Sequence, residues 1–196
     1  MMNSYVENHN LSEQYQTIMR REKLITPIVI SIAKAFGCGL AGLENRIKPY
    51  RAAKEKASIR SSVNDFFKMN DMIRYTFIVP EETFGNTVNS MIKNMDNYGV
   101  TVRKTINCWE ETCVGYNGIV LLTRIKGVNV EIQIHTESSY RTYISKYVPA
   151  YKQYKTETDE IRKEVLHHRL MNISRGQKMP VNADKINSEY FKENVV

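Results

Sequence analysis

The chain has 196 residues, a length that suits one domain with short terminal additions. Its 42% hydrophobic and 25% charged residues are ordinary for a globular protein, and no internal repeat or low-complexity segment is present. The longest apolar run, residues 25–33, is far shorter than the roughly 20 residues that a membrane span needs. The net charge of +7 favours a polyanionic partner, such as a nucleotide, a nucleic acid or a phosphorylated surface.

The N-terminus and the cysteines bear on the cellular compartment. Residues 1–10 are polar and lack the basic start and apolar stretch of a secretory signal. We therefore expect a cytoplasmic protein, or one delivered into a target or host cell. Cys38, Cys108 and Cys113 form an odd, sparse set, from which we expect reduced thiols and no disulfide scaffold.

The first half of the chain reads as two helices joined through a glycine-rich passage. Residues 11–36 form the first helix, which Pro27 should kink or split in two. Residues 43–48 are predicted to be a short strand, and residues 50–67 a basic helix. The cations of this basic stretch are Arg51, Lys54, Lys56, Arg60 and Lys68.

The second half alternates strands and helices. Residues 71–80 predict a buried strand, residues 81–98 an amphipathic helix and residues 100–109 a further strand. Residues 116–136 read as a β-hairpin with its turn at residues 126–127.

The C-terminal part is predicted to be helical and then irregular. Residues 137–155 and 158–172 read as helices, and residues after Ser174 as a poorly ordered tail. The fold class is therefore α+β, with a mixed, mostly antiparallel five-stranded sheet and helices packed on it.

Residues 128–136 are the most informative stretch, because their side chains alternate between two faces. Val128, Val130, Ile132 and Ile134 form an apolar face. The other face carries Asn129, Glu131, Gln133 and His135. An acid flanked by hydrogen-bonding groups suggests one wall of a polar site, and the alternative is an amphipathic strand with a wet outer face.

Several cations are spaced so that they could converge on phosphate groups. Arg46 and Lys48 lie at a predicted strand end, and Lys54, Lys56 and Arg60 follow on the basic helix. Arginine binds phosphate oxygens bidentately, and lysine adds a point charge. The alternative interpretation is a solvated helix face.

Asp71 and Glu131 are the best candidates for a pair of Mg²⁺ ligands. Magnesium is commonly held by one or two carboxylates together with substrate phosphates. Asp71 stands at the mouth of a strand that contains Arg74, and Arg74 should face away from the core. Asp71 could instead cap a turn. Tyr116, at the start of the hairpin, could stack on a nucleobase or simply begin a strand.

A stripe of tyrosines falls at helical spacing in the predicted helix at residues 137–155. It could form a nucleic-acid surface, but such a stripe more often packs a helix on a sheet, which we favour here. The stripe comprises Tyr140, Tyr143, Tyr147, Tyr151 and Tyr154.

The order of these motifs resembles the synthetase domain of the RelA/SpoT family, and resembles even more the small RelA/SpoT-like domains of toxins. The resemblance covers roughly residues 43–151. The matching residues are Arg46, Lys48 and Lys56; Asp71, Arg74, Tyr75 and Thr76; Asn107 and Trp109; Tyr116, Asn117 and Gly118; and Glu131, Gln133, His135 and Thr136.

The resemblance implies a nucleotidyltransferase-like fold and a pyrophosphokinase activity. Family members transfer the β,γ-pyrophosphate of ATP to a ribose 3′-hydroxyl. It also implies an N-terminal helical segment at residues 1–42, a synthetase core at 43–156, and a C-terminal helix with a flexible tail at 157–196. No expectation about the oligomeric state follows from the sequence.

The resemblance also implies roles for individual residues. Asp71 and Glu131 would be catalytic and hold Mg²⁺. Tyr116 would stack on the acceptor base. The residues implied to bind ATP phosphates or to orient the acceptor are Arg46, Lys48, Lys56, Arg74, Gln133 and His135.

Departures from the family pattern leave the acceptor open among a guanosine nucleotide, an adenosine nucleotide and tRNA. Arg74 follows Asp71 by three positions, where alarmone synthetases have Gly and a later Arg. Val120 stands where they have His. Thr136 directly follows His135, where alarmone synthetases usually have Arg and then Thr. Two other functions are consistent with the sequence: a RelA/SpoT-like module that binds nucleotide, nucleic acid or protein without turnover, and a basic RNA-binding protein.

Overall fold

The computed structural model describes residues 3–59, 65–110 and 113–190; for residues 3–10, 59 and 190 it describes only the backbone. The helices in this part are α1 (Asn3–Ala35), α2 (Tyr50–Ile59), α3 (Phe84–Asn94), α4 (Glu137–Thr142), α5 (Val148–Thr156) and α6 (Glu160–Arg175). The strands are β1 (Gly39–Ala41), β2 (Ile73–Ile78), β3 (Val100–Asn107), β4 (Ile119–Ile125), β5 (Val128–His135) and β6 (Glu189–Tyr190).

The strands form one mixed sheet in the order β1-β2-β5-β4-β3-β6. β2 and β5 are parallel neighbours, and the other strand pairs are antiparallel. This confirms the predicted α+β class and the mostly antiparallel sheet. The predicted hairpin is also present, because Ile125 pairs with Val128 across the β4–β5 turn. The two-residue strand β6 adds a sixth strand at one edge.

The core lies on the apolar face of β5, which the alternating pattern identified. Val128, Val130, Ile132 and Ile134 are all fully buried or nearly so. They belong to one hydrophobic cluster with residues of α1 such as Ile18 and of α3 such as Val88. The opposite face of β5 is therefore left for polar side chains and for the C-terminal helices.

Helix α1 runs without interruption from Asn3 to Ala35, so the alternative in which Pro27 splits it is wrong. Proline removes one helical hydrogen bond and costs about 3 kcal/mol in a helix interior. Ile25 and Val29, on either side of Pro27, are completely buried in the core. Tertiary packing of this apolar stripe outweighs the local cost, as it commonly does in globular proteins.

The short strand predicted at residues 43–48 is also wrong. The strand is β1 (Gly39–Ala41), and Leu43–Asn45 form a 3-10 turn. Ile47 makes a single antiparallel bridge to Ile73. The segment is nonetheless fixed beside β2, because the Lys48 amide donates to the Met72 carbonyl (2.9 Å) and the Arg46 carbonyl accepts from the Arg74 amide (2.7 Å).

Cys108 and Cys113 form a disulfide in the loop between β3 and β4, so the expectation of three reduced thiols is wrong. The two residues are only five positions apart, and the turn after β3 brings their Cα atoms within 5.4 Å. Cysteine count alone does not reveal such a local contact. Cys38 is free, and burial raises the pKa of its thiol to about 11.

The chain after α6 packs against the sheet up to Tyr190, where the sequence predicts a poorly ordered tail. The buried Asn107 side chain donates to the carbonyls of Ala183 (2.8 Å) and Ile186 (2.9 Å). The Ala183 and Ile186 side chains are completely buried. A few apolar residues within a polar segment therefore suffice to dock it, once a buried amide satisfies its backbone carbonyls.

Gly85 is one of the α3 residues that contact this C-terminal segment. The Gly85 amide donates to the Val181 carbonyl (3.0 Å), and a Cβ at Gly85 would overlap the backbone of Asn182. We expect Gly85→Ala to lower the free energy of unfolding by about 2 kcal/mol through overpacking. Urea denaturation measures this loss. The matched control is Gly39→Ala, whose added Cβ would lie in ordinary contact with Ile78; an equal loss in both variants would contradict the prediction.

The tyrosine stripe runs along α4, the π-helical turn at Tyr143–Tyr147, and α5. All of its residues are half-buried. The Tyr143 and Tyr147 rings are stacked with centroids 5.8 Å apart, and the Tyr147 and Tyr151 rings with centroids 5.4 Å apart. Such mutual contact agrees with the packing role that we favour for the stripe. None of the helices in the described ranges is both long enough and apolar enough to cross a bilayer.

Candidate active site

The polar face of β5 brings two site residues of distant sequence together. β2 and β5 pair in parallel with Arg74 opposite Glu131, so their side chains leave the sheet on the same face. Arg74 Nε donates to Glu131 Oε1 at 2.8 Å. Gln133, two residues along the same face, donates from Nε2 to the same oxygen at 2.9 Å. The predicted polar wall is thus an ordered hydrogen-bonded group.

One oxygen of Asp71, just before β2, lies within ion-pair distance of three cations. Lys56 Nζ lies 2.7 Å from Asp71 Oδ2, Lys48 Nζ lies 3.1 Å from it, and Arg74 Nη2 lies 3.8 Å from it. Lys56 is directed here because Ala53 and Ala57 of α2 are buried against the core. Arg74 therefore joins the two carboxylates, since it contacts both Asp71 and Glu131.

The surroundings of Asp71 stabilise its charged form. Burial by itself would raise the pKa of this carboxyl, whose side chain is 12% exposed. The hydrogen bond from Lys56 and the charges of Lys48 and Lys56 outweigh burial and lower the pKa to about 2. The carboxylate is accordingly ionised throughout the neutral range, as a metal ligand must be.

The lowered pKa of Asp71 predicts a loss of stability in acid. Because the folded pKa is depressed, the stabilisation is present above pH 4 and is lost as the pH falls from about 4 to about 2. The shift corresponds to about 2 kcal/mol. Urea unfolding should show that Asp71→Asn destabilises the protein at pH 6, and that the cost is about 1 kcal/mol smaller at pH 3. Asp96→Asn, at an exposed aspartate, is the control; an equal cost of Asp71→Asn at both pH values would refute the prediction.

Arg74 is also held in its charged form. Burial would lower the pKa of its guanidinium, but the charge of Glu131, with smaller contributions from Tyr143 and Asp71, raises it. A cation that is fixed between two carboxylates is ready to bind further anionic oxygens without a change in protonation.

The two carboxylates border one small cavity of about 180 Å³. Lys56, Asp71, Leu122 and Glu131 are among its lining residues. Asp71 Oδ1 is buried and has no hydrogen-bond partner within the described residues. An ionised, buried oxygen without a donor is the group that a hard divalent cation satisfies, so the residues present fit Mg²⁺.

The protein supplies at most a partial coordination shell for such a cation. In the described part of the chain no cluster of three or more Asp, Glu, His or Cys side chains comes together. Asp71 and Glu131 are two carboxylates, a number that suits Mg²⁺ when substrate phosphates and water complete its six ligands.

Arg46 lies in a separate ion pair that the sequence did not reveal. Its Nε donates to Glu22 Oε1 at 2.6 Å, and its Nη1 donates to the Leu43 carbonyl at 2.7 Å. Glu22 is 3% exposed and also accepts a hydrogen bond from Thr26. The Glu22 hydrogen bond raises the pKa of Arg46. Arg46 is thus anchored to α1, apart from the cations that contact Asp71.

A signal for Glu22 was present in the sequence. It occupies a position of α1 between Ile18 and Ile25 at helical spacing, on the apolar stripe that enters the core. A single carboxylate on such a stripe requires a buried partner. The sequence could not say that the partner would be Arg46, which lies 24 residues further along the chain.

Tyr116 and His135 form a buried pair on the same face of the sheet. The Tyr116 hydroxyl and His135 Nε2 lie 2.8 Å apart, and His135 Nδ1 lies 3.1 Å from the Ser139 hydroxyl. Tyr116 is 8% exposed and His135 is completely buried. Rings of Tyr143 and Tyr147 pack against the Tyr116 ring at centroid distances of 5.6 Å.

Burial determines the chemistry of this pair. It lowers the pKa of His135 to about 3 and raises the pKa of Tyr116 well above its ordinary value. Both groups are therefore neutral at physiological pH. Since neither side chain has an open face, they stand beneath the surface and do not directly face a ligand in this conformation.

The structure thus divides the predicted site residues into three groups. One group converges: Lys48, Lys56, Asp71, Arg74, Glu131 and Gln133. Arg46 is held by Glu22, and Tyr116 with His135 is buried nearby in the same sheet face. Among the other cations of the predicted basic helix, Arg51 and Lys54 are exposed, and Arg60 lies outside the described residues.

The mixed sheet and its flanking helices form an α+β domain whose fold is that of solved small alarmone synthetases. Solved structures support this fold. The small alarmone synthetase 1 from Bacillus subtilis, bound to its product pppGpp, superposes with a TM-score of 0.54 at 20% identity, covering 82% of this chain and 88% of that chain.

Two further structures are similar over comparable lengths. A GTP pyrophosphokinase family protein from Streptococcus pneumoniae gives a TM-score of 0.54 at 16% identity, with 86% and 89% coverage of the two chains. The small alarmone synthetase 2 from Bacillus subtilis gives a TM-score of 0.52 at 16% identity, covering 80% of this chain and 87% of that chain. No protein-family model and no curated protein sequence matches the chain.

Proposed function

We propose that the protein transfers the β,γ-pyrophosphate of ATP to the ribose 3′-hydroxyl of a nucleotide or tRNA acceptor. The observation that carries the proposal is the contact of Arg74 with both Glu131 and Asp71, beside Lys48 and Lys56. This arrangement lies on a fold shared with proteins described as alarmone synthetases. Cations and carboxylates around one cavity suit a polyphosphate with a divalent metal.

The reaction forms one bond and breaks one bond at the β-phosphorus of ATP. The acceptor 3′-oxygen bonds to this phosphorus, the bond to the oxygen bridging the α- and β-phosphates breaks, and AMP leaves. The hydroxyl proton is lost late, to solvent, in a site where charge is already compensated. Phosphoryl chemistry of this kind depends chiefly on positioning and on electrostatic stabilisation.

The basic side chains bind and orient the donor phosphates in this proposal. Lys48 and Lys56 shift from Asp71 toward phosphate oxygens, and Arg74 presents its guanidinium edge to them. Arg46, fixed by Glu22, contributes a further positive charge beside this group. Gln133 orients the acceptor or the phosphates through its amide, whose Oε1 is buried without a hydrogen-bond partner among the described residues.

Asp71 and Glu131 would hold Mg²⁺ in the proposed reaction. When bound, the metal would neutralise charge on the transferring group. Tyr116 and His135 support the acceptor side of the site from beneath, and base stacking by Tyr116 would require its ring to become exposed. The proposed acceptors are a guanosine nucleotide, an adenosine nucleotide or tRNA.

The test is incubation of the full chain with γ-labelled ATP, Mg²⁺ and each acceptor in turn: GDP, ATP and tRNA. Labelled acceptor should form together with an equal amount of AMP. Production of ADP in place of AMP would indicate phosphate transfer and contradict the proposed reaction. Absence of transfer to all three acceptors by folded protein would also contradict it.

A second candidate is a module that binds ATP without turnover. It is favoured by the ion pairs themselves, since Asp71 and Glu131 are already neutralised by lysine and arginine side chains of the chain. Isothermal titration calorimetry with ATP separates the candidates. The module predicts binding that Glu131→Gln leaves unchanged, together with no labelled product.

A further inference from the structure

A second basic cavity adjoins the candidate active site. Its volume is about 430 Å³, and it lies where β4 turns into β5. It shares Lys68 and Asn70 as lining residues with the cavity that contains Asp71 and Glu131. A ligand that occupies the candidate active site could therefore extend into this second cavity without crossing the core.

A buried amide organises the second cavity. Asn129 is 7% exposed, its Nδ2 donates to Asn70 Oδ1 (3.3 Å), and its Oδ1 accepts from Arg103 Nη1 (3.0 Å). Arg124 pairs with Asn129 in the β4–β5 ladder, so it leaves the sheet on the same face. Arg103 and Arg124 both line this cavity, and the hydrogen bond to Asn129 fixes the guanidinium of Arg103 there.

The charge balance of the second cavity favours an anion. Among the described residues, its lining contains the cations Lys68, Arg103 and Arg124 and one carboxylate, Asp65. Asp65 Oδ1 is engaged in capping a turn, where it accepts from the Phe67 amide at 2.9 Å. Within the described residues neither Lys68 nor Arg124 takes part in an ion pair. An anion bound between Lys68 and Arg124 would be attracted by both charges.

We infer that Lys68, Arg103 and Arg124 form a phosphate-binding subsite separate from the cations that contact Asp71. Arginine pairs match the geometry of phosphate oxygens, and the amide of Asn129 preorganises one of them. The subsite takes a phosphate of a ligand that extends beyond the reacting group. The inference rests on the proposed function for the nature of this ligand: the phosphate belongs either to the 5′ end of an acceptor nucleotide or to the backbone of an acceptor strand.

The experiment compares two variants of the full chain with the same change of charge. Lys68→Gln/Arg124→Gln removes two cations of the subsite and leaves Arg103 to support Asn129. Lys23→Gln/Arg162→Gln removes two exposed cations elsewhere. Two probes distinguish the phosphate sources: GDP in calorimetry, and a fluorescein-labelled single-stranded oligoribonucleotide in anisotropy over a range of KCl concentrations.

The subsite variant should bind at least one probe about tenfold more weakly than the control variant, because it loses charge-assisted hydrogen bonds. Weaker binding of the oligoribonucleotide assigns the phosphate to a strand. In that case the slope of log binding constant against log KCl concentration should also be smaller by about 1.4 in the subsite variant. A loss for GDP assigns the phosphate to a nucleotide. Equal binding by both variants, or no binding of either probe by the unmodified protein, overturns the inference.

Turnover measured in the same preparations separates the subsite from the proposed function. A protein without pyrophosphate transfer, whose probe binding still depends on Lys68 and Arg124, would remove the proposed reaction and leave the subsite. If the protein transfers pyrophosphate and both variants bind the probes equally, the proposed reaction stands and the subsite is overturned.

Discussion

Glu131→Gln is expected to lower the rate of pyrophosphate transfer at least about a hundredfold. The substitution keeps the shape of the side chain and an oxygen that can accept from Arg74 and Gln133. It removes the negative charge that balances Arg74 across the β2–β5 pair, and it removes one of the two carboxylates proposed to hold Mg²⁺. The measurement is AMP release from labelled ATP under saturating acceptor.

Metal dependence distinguishes the two effects of Glu131→Gln. If Glu131 is a metal ligand, the concentration of Mg²⁺ that gives half-maximal activity should rise in the variant. If it only positions Arg74, the KM for ATP should rise while the Mg²⁺ dependence stays the same. Glu137→Gln, at an exposed glutamate paired with Arg141, is the matched control. Full activity of Glu131→Gln at ordinary Mg²⁺ concentration would disprove both roles.

The sequence located Glu131 because local periodicity determines which residues share a face of a strand. Alternation in residues 128–136 separates an apolar face from a polar one regardless of the rest of the fold. The pairing with Arg74 is different. It depends on β2 being the parallel neighbour of β5, a contact across 57 residues that no local pattern encodes.

A second limit is that the sequence does not show which polar residues are covered by other elements of the fold. Alternation shows that His135 lies on the polar face of β5, but it does not show that α4 and the tyrosine stripe cover this end of the strand. Coverage is a tertiary property, and it converts Tyr116 and His135 from candidate ligand contacts into a neutral buried pair. The docked segment before Tyr190 was missed for the same reason, whereas the Cys108–Cys113 disulfide was missed because cysteine count does not show which thiols a local turn brings together.

The buried His135 predicts a pronounced loss of stability at mildly acidic pH. Its pKa is lowered to about 3 in the folded state by burial, against 6.5 for an ordinary imidazole. Below about pH 6.5 the unfolded chain takes up a proton that the folded protein does not, so stability falls as the pH decreases from 6.5 toward 3. The slope for one such proton is about 1.4 kcal/mol per pH unit, which amounts to about 2 kcal/mol by pH 5.

Urea unfolding of His135→Gln at several pH values measures this contribution. At pH 7.5 the variant should be less stable than the unmodified protein by about 2 kcal/mol, because the Tyr116 and Ser139 hydroxyls lose a buried partner. The difference should shrink by about 2 kcal/mol at pH 5, since the variant has no imidazole to protonate on unfolding. His168→Gln, at an exposed histidine, controls for the loss of an imidazole.

The ring of His135 gives a second readout that does not require a stable variant. In the folded protein its Cε1–H resonance should keep the chemical shift of the neutral imidazole from pH 8 down to pH 5, because protonation would place a charge among the rings of Tyr116, Tyr140 and Tyr143. A titration midpoint between pH 6 and pH 7 would contradict the buried position. It would also mean that this end of β5 opens to solvent, as direct contact of His135 with an acceptor requires.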